Sequence, residues 1–148
     1  MGESNLLSET GNLAFDSIIN YKLKDIKNSD IKLTMRLKIP PVLEIADADI
    51  VTIIGNLLDN ALEAVAKAGE KTIKLHVVLD NGALLIKVEN SFNGELKEGL
   101  ASLKGGSEHG HGLKNIKRSV DKYDGYMKTT PADHLFSVSI LLYGANGD

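Results

Sequence analysis

The sequence KTIKLHVVLDNGALLIKV at residues 71–88 contains two strand-like runs that flank an Asp-Asn-Gly turn. Residues 71–79 and 83–88 are rich in the branched apolar side chains that favour strands. The Asn-Gly pair is typical of a tight hairpin turn, because such turns need positive φ angles. The stretch therefore predicts an antiparallel hairpin within a β-sheet.

Upstream of this hairpin, the sequence predicts a helix, a strand and a second helix. Residues 12–27 carry apolar side chains at helical spacing, whereas apolar and polar side chains alternate along residues 31–39. Two prolines end that strand, because proline cannot donate a ladder hydrogen bond. Asp49 is expected to cap a long second helix that ends near Lys67.

Downstream of the hairpin, residues 89–110 show no periodicity, which is typical of a functional lid or a disordered loop. A helix over residues 113–123 and strands near residues 126–129 and 134–142 follow. The predicted order is helix, strand, helix, strand, strand, lid, helix, strand, strand. This order favours the α+β class, as a two-layer α/β sandwich with helices on one face of a mixed sheet.

The composition excludes several classes of function. A chain of 148 residues, 43% hydrophobic and 25% charged, is expected to form one globular domain. It contains no cysteine, which excludes disulfides, thiolate catalysis and cysteine-ligated zinc. A net charge of −3 gives no basic face for nucleic acid. Because we find neither a signal peptide nor an apolar run of about 20 residues, we expect a cytoplasmic location.

The stretch NLLDNALEA at residues 56–64 carries carboxamides and acids at one-turn spacing. Asn56, Asn60 and Glu63 share one face of the predicted second helix, and Asp59 lies one turn before Glu63. Their oxygens are the hard ligands that magnesium prefers. A solvated polar stripe has the same spacing, so the stretch alone leaves both interpretations open.

The stretch GHGLKNI at residues 110–116 is a glycine-hinged segment leading into a helix. Gly110 and Gly112 flank His111 directly before the predicted helix start, where unpaired N–H groups and the positive dipole end favour phosphate. Lys114 is expected in the first turn. An ordinary loop-to-helix junction is the alternative, and the dinucleotide fingerprint does not apply because no strand is predicted before these glycines.

Together and in this order, NLLDNALEA and GHGLKNI resemble the N box and the second glycine box of sensor histidine kinases. Their ATP-binding catalytic domains belong to the superfamily shared with DNA gyrase, heat-shock chaperones and mismatch-repair ATPases. The resemblance covers residues 10–142 and implies the Bergerat ATP-binding fold with an ATP lid. It also implies a leading or linker segment at residues 1–11, the catalytic domain at 12–143 and a tail at 144–148.

Within that family, the chain looks most like the quorum-sensing Agr-type branch. The resemblance implies that Asn60 coordinates magnesium, that Asn56 lies near the phosphates, and that the glycine-box backbone meets the phosphate chain. Asn90 takes the place of the aspartate that binds the adenine amino group. The implied nucleotide-binding residues are Asn56, Asn60, Asn90, Gly110, His111, Gly112, Leu113 and Lys114.

Two positions depart from the family pattern. The usual Asp-x-Gly-x-Gly box is here Asn-Ser-Phe-Asn-Gly, starting at Asn90. A carboxamide oxygen can still accept a hydrogen bond from an amino group. Hydrolysing members of the superfamily carry a catalytic glutamate where this chain has Asn56, which cannot act as a general base for water. We therefore expect little ATP hydrolysis.

The resemblance implies a protein-histidine kinase of the two-component type. The chain would bind Mg-ATP and pass the γ-phosphate to a histidine on the dimerisation domain of the same protein, which then serves a response regulator. The parent protein is expected to be membrane-anchored. None of the four histidines is expected in a dimerising hairpin, so the chain alone should bind ATP without autophosphorylation and carries no catalytic residue beyond ATP positioning.

Two alternatives stay open from the sequence. The same domain occurs in serine kinases of the anti-sigma-factor type, which differ in the side chain that receives the phosphate. The missing aspartate at residue 90 also permits a degenerate module that acts by protein interaction without nucleotide.

Overall fold

The predicted hairpin is present in the computed structural model, which describes residues 7–94 and 110–145. Asn81 and Gly82 form its turn with φ angles of 51° and 81°. A positive φ at both positions is the geometry of a type I′ turn, whose twist matches the twist of the flanking strands. The local chemistry of the turn thus fixes the pairing of the two strands.

The described residues form three helices and five strands in the predicted order. They are α1 (Leu13–Lys27), β1 (Lys32–Lys38), α2 (Asp47–Ala66), β2 (Thr72–Asp80), β3 (Ala83–Ser91), α3 (Gly110–Lys122), β4 (Tyr126–Pro131) and β5 (Leu135–Tyr143). The sheet order is β1-β2-β3-β5-β4, with β1 parallel to β2 and all other neighbours antiparallel. The mixed sheet is confirmed.

The three helices cover one face of this sheet. Alternate residues of β2, β3 and β5 are buried, and they form one apolar cluster with buried residues of all three helices. α2 lies centrally, since it contacts α1, α3 and β3. Ile53, Ile54, Leu57 and Leu58 of α2 are nearly or fully buried, and each contributes about 1.5–3 kcal/mol of burial free energy. The two-layer sandwich is confirmed.

The start of α1 is fixed by side chains from its own first turns. Asn12 caps the helix by accepting a hydrogen bond from the backbone N–H of Phe15 at 3.1 Å. The Asp16 carboxylate accepts hydrogen bonds from Ser8, Thr10 and Gly11 at 2.7–3.0 Å. These contacts hold residues 8–11 against the helix.

Several predicted details are wrong. α2 begins at Asp47 with Ala46 as its N-cap, so Asp49 is the third helical residue and does not cap the helix. α3 begins at Gly110 and includes both glycines, which were expected to precede it. Asn90 lies within β3, which runs on to Ser91 because its register with β5 extends that far.

Other predictions fall on undescribed residues or on loops. The predicted lid lies largely at residues 95–109, which are outside the described residues. His134 was expected in a strand, but it lies just before β5. Across residues 7–94 and 110–145, no helix is long and apolar enough to cross a membrane.

Candidate functional site

The two stretches that the sequence singled out meet where α2 packs against α3. The helices run antiparallel, since the start of α2 contacts the end of α3 and the later part of α2 contacts the start of α3. We call this contact the α2/α3 seam. It has a brace end at Asp49 and Tyr123 and an asparagine end at Asn60 and Gly112.

At the asparagine end, Gly112 sits directly against the carboxamides of α2. A Cβ atom on Gly112 would lie 3.3 Å from Oδ1 of Asn56 and 3.3 Å from Oδ1 of Asn60. Two carboxamide oxygens therefore converge on the first turn of α3. Glycine permits this close approach because it has no side chain. The two stretches are therefore in contact in the structure.

The two asparagines differ in how their amide nitrogens are satisfied. Nδ2 of Asn56 donates a hydrogen bond to the backbone carbonyl of Thr52 at 2.7 Å. Nδ2 of Asn60 is buried and has no hydrogen-bond partner among the described residues. A buried polar atom without a partner is costly, so such atoms commonly mark a site that an additional group completes.

The start of α3 offers a favourable environment for an anion. Its first turn contains no acidic residue, so the positive end of the helix dipole is not neutralised locally. Leu113 is buried in the core and anchors this turn, whereas Lys114 is exposed and lies beyond the first turn. Gly110 and His111 belong to the same first turn.

The two acidic side chains of the NLLDNALEA stretch are more exposed than its two asparagines. Asp59 forms a salt bridge with Lys22 of α1 at 2.7 Å and is half exposed. Glu63 is exposed on the surface of α2. From the face that the sequence suggested, the structure places the two asparagines directly against Gly112.

Asn90 occupies the helix-facing side of the central strand β3. It continues the buried row of Leu84, Ile86 and Val88, and it is only 5% exposed. Its Nδ2 donates a hydrogen bond to the backbone carbonyl of Ser91 at 3.0 Å. A buried carboxamide at the end of an apolar row is positioned to offer Oδ1 to a ligand that enters between sheet and helices.

The brace end of the seam carries a polar cluster that the sequence analysis missed. Asp49 is 5% exposed and accepts hydrogen bonds from Tyr123 at 2.6 Å, Lys122 at 3.0 Å and Ser119 at 3.2 Å. Burial acts to raise the pKa of Asp49, but the bonds from Tyr123, Lys122 and Ser119 outweigh it and lower the pKa from its ordinary value of 3.8. Asp49 is thus a satisfied carboxylate.

The donor set at the asparagine end suits a hard cation such as magnesium. Across the described residues, no group of three or more His, Cys, Asp or Glu side chains could hold a metal ion. Carboxamide oxygens are hard neutral ligands, and magnesium is commonly bound by one or two protein groups together with substrate phosphates. The converging oxygens of Asn56 and Asn60 fit that pattern.

The three histidines among the described residues lie in different parts of the fold. His76 lies in β2, and His134 precedes β5. His111 lies in the first turn of α3, a helix that packs within this domain rather than in a separate hairpin. His109 lies outside the described residues.

Sequence comparison identifies a family. The model of the family described as GHKL domain matches residues 45–143. The sensor protein CitS of Bacillus subtilis (strain 168) is 32% identical over 85 residues. That alignment covers 53% of this chain and only 16% of CitS, so the chain spans a small part of that relative.

Solved structures share the fold. The catalytic domain of the histidine kinase ThkA superposes with a TM-score of 0.74 at 18% identity, covering 91% of this chain and 95% of that domain. The histidine kinase domain of a blue-light activated kinase from Erythrobacter litoralis gives a TM-score of 0.71 at 16% identity, with 90% of this chain and 61% of that chain covered. At these identities, the similarity concerns the fold.

Proposed function

The chain belongs to the GHKL domain family and has the fold of histidine kinase catalytic domains, and from this premise we propose that it binds Mg-ATP at the asparagine end of the seam. The γ-phosphate then passes to a histidine on the dimerisation domain of the parent protein, which serves a response regulator. We also propose that this parent protein is a membrane-anchored sensor with the present domain on the cytoplasmic side.

The observation that carries this proposal is the convergence at Gly112. Two carboxamide oxygens lie against the first turn of α3, and the buried Nδ2 of Asn60 lacks a partner among the described residues. A polyphosphate at this point would accept hydrogen bonds from Asn60 Nδ2 and from the N–H groups of the helix start, which have no partner within the helix itself. It would also meet the positive dipole end of α3, which has no acid in its first turn.

The two carboxamides are proposed to have different roles, one toward the metal and one toward the phosphates. Asn60 would hold magnesium through Oδ1, and Asn56 would lie beside the phosphates with its Nδ2 already fixed by Thr52. When bound, magnesium would neutralise negative charge on the phosphates. The chain's own groups bind and orient the phosphates, and the backbone of residues 110–114 surrounds them.

Asn90 is proposed to bind the adenine amino group. Its Nδ2 is held by the Ser91 carbonyl, so Oδ1 is the atom that would accept from the base. The acceptor is a neutral oxygen rather than a carboxylate, and hydrogen bonds to neutral groups are roughly half as strong as those to charged groups. We expect weaker adenine binding than an aspartate at this position would give.

The same residues disfavour hydrolysis. Asn56 has no basic atom with which to remove a proton from water. Among the described residues, the buried carboxylate of Asp49 lies at the opposite end of the seam and is already satisfied by three donors. The bound phosphate is thus conserved for transfer to a protein side chain.

A calorimetric titration of ATP, with and without magnesium, tests the site. We expect Asn60→Ala to weaken magnesium-dependent binding about tenfold, because a first ligand is lost. Asp59→Asn is the matched control on α2, since Asp59 faces Lys22 instead of the seam, and it should bind as the parent does. Equal affinity for Asn60→Ala and the parent would exclude Asn60 as the metal ligand.

The phosphate acceptor is tested separately. Labelled ATP is offered to the domain together with either a histidine-bearing helical hairpin or a serine protein of the anti-sigma-factor pathway. An acid-labile product on the hairpin is expected, because phosphohistidine is acid-labile, whereas an acid-stable product would establish a serine kinase. A complete lack of ATP binding by the parent would leave the degenerate interaction module as the function.

A further inference from the structure

The brace end of the seam has the chemistry of a helix cap that is completed by another helix. In an ordinary capping box, the side chain of the third helical residue reaches back to the N–H of the cap residue. Here the third residue is Asp49 and the cap residue is Ala46, whose side chain makes no cap hydrogen bond. The hydroxyl of Tyr123 lies between them.

Tyr123 makes two hydrogen bonds that complete this cap. Its hydroxyl accepts from the backbone N–H of Ala46 at 2.9 Å and donates to the Asp49 carboxylate at 2.6 Å. Ser119 and Lys122 donate to the other carboxylate oxygen. The start of α2 is therefore capped by side chains from the end of α3 and the residue that follows it. Hydrogen bonds to a charged carboxylate of this kind are strong and directional.

This cap also fixes how α3 lies along α2. The same number of residues separates Asp49 from Asn60 and Gly112 from Tyr123, about three helical turns in each helix. Between the two ends, the seam includes the fully buried Ile116. Helices of this length behave as stiff units, so a shift of Tyr123 along α2 would be transmitted to Gly112 as a similar shift.

The asparagine end tolerates little movement. Gly112 already lies so close that a Cβ atom there would be 3.3 Å from two carboxamide oxygens. A displacement of α3 by one residue equals about 1.5 Å, and displacements of about 1 Å can abolish much of the effect of a positioned group.

We propose that Asp49 and Tyr123 are positioning residues for the phosphate end of the nucleotide, because they set the register in which the first turn of α3 faces Asn56 and Asn60. This inference rests on the proposed nucleotide site. Neither residue lies at the asparagine end, where the phosphates would bind. Their effect should reach the phosphates, which meet the start of α3, and should spare the adenosine, which binds at β3.

Tyr123→Phe tests the inference, because it removes only the hydroxyl. Calorimetry with magnesium and ADP, together with ligand-observed NMR with adenosine, measures the two halves of the nucleotide. We expect ADP affinity to fall about five- to tenfold, as loss of two hydrogen bonds permits, with adenosine affinity unchanged. The backbone amide resonance of Gly112 should also move in ¹⁵N-labelled protein, although the substitution lies about three turns away.

Lys117→Ala is the control on α3, since the exposed Lys117–Asp121 pair at 2.9 Å lies outside the seam. It should leave ADP affinity and the Gly112 resonance as in the parent. Ser119→Ala, which removes one weaker bond to Asp49, should give a smaller change of the same kind, and it serves if Tyr123→Phe does not fold.

Three results would overturn the inference. The first is an equal loss of ADP and adenosine binding, and the second is an unchanged ADP affinity. The third is a lowered melting temperature with an unmoved Gly112 resonance. Each result would mean that Asp49 and Tyr123 do not position the phosphate end of the site. Failure of the proposed function looks different, because the parent domain itself would then bind neither ADP nor adenosine.

Discussion

The two ends of the α2/α3 seam treat buried polar groups in opposite ways. At the brace end, Asp49 is satisfied by three side-chain donors at 2.6–3.2 Å. At the asparagine end, the buried Nδ2 of Asn60 has no partner among the described residues, and Gly112 packs closely against the Asn60 side chain. One pair of helices can therefore be fixed by hydrogen bonds at one end and still offer an unsatisfied polar group to a ligand at the other.

The largest expected effect comes from filling the asparagine end. Gly112→Val would place branched methyl groups where the oxygens of Asn56 and Asn60 lie 3.3 Å from a Cβ position. We expect a loss of ATP affinity of about a hundredfold, since a shift of about 1 Å in a positioned group has that scale of effect. Fluorescence titration with an ATP analogue measures it.

Gly69→Ala is the matched glycine control for this substitution. Gly69 follows α2, and a Cβ atom there would meet nothing within 4 Å. ATP binding should stay at the parental level. Unaltered affinity in Gly112→Val would show that the close approach of Gly112 to the two asparagines plays no part in binding.

We expect the hydrogen bonds at the brace end to contribute more to the free energy of unfolding than to nucleotide affinity. Asp49→Ala removes three hydrogen bonds and leaves Ser119 and Tyr123 without their acceptor. We expect the free energy of unfolding to fall by about 2–3 kcal/mol, the scale of a lost charged hydrogen bond within a buried cluster. Urea denaturation measures this change. A decrease smaller than about 0.5 kcal/mol would show that the hydrogen bonds to Asp49 do not stabilise the fold.

The same carboxylate predicts a dependence of stability on pH. The pKa values of Asp16 and Asp49 are both lowered in the folded protein, because hydrogen bonds outweigh the effect of burial. The unfolded chain therefore binds more protons near the ordinary carboxyl value of 3.8. The stability that these two carboxylates contribute should be fully present above that value. It should be lost as pH falls through their pKa values in the folded protein.

Asp49→Asn is the variant that checks this dependence, because an amide does not titrate. Urea midpoints of the parent should fall between pH 6 and pH 3, and those of Asp49→Asn should fall less over the same range. If the urea midpoint changed equally with pH in both proteins, Asp49 would not contribute to the pH dependence of stability.

The smallest effect is expected from the unpaired amide in the absence of ligand. Asn60→Ala removes a buried nitrogen that has no partner among the described residues, so the free energy of unfolding should change by less than about 1 kcal/mol. The comparison becomes sharper when Mg-ATP is added, because the parent should then gain thermal stability that Asn60→Ala lacks. A large loss of stability without ligand would place a structural partner on Asn60.

Much of the fold could be predicted from local patterns. The alternation along β1, the Asn-Gly turn and the amphipathic α2 each specify an element from neighbouring residues, and all are confirmed. The resemblance to histidine kinase catalytic domains is confirmed by the family match and by the fold. The Agr-type branch and the individual site residues stay predictions.

The details that failed depend on contacts between distant residues. Asp49 looked like a cap because acids favour helix starts, but its main partner, Tyr123, lies 74 positions along the chain. The start of α3 was predicted too late because glycines have low helix propensity, whereas packing of Gly112 against α2 holds them in the helix. No pattern within either segment contains that information.

The edge strand β1 has a consequence for the order of folding. β2 and β3 are joined by a two-residue turn, so they can pair within microseconds, whereas β1 is connected to its parallel partner β2 only through a long segment that contains the whole of α2. Pairing across such a long connection is slow because loop-closure entropy opposes it. We expect backbone amides of β1 to exchange with solvent sooner than those of β3, which native-state hydrogen exchange would show; slower exchange in β1 would reverse this order.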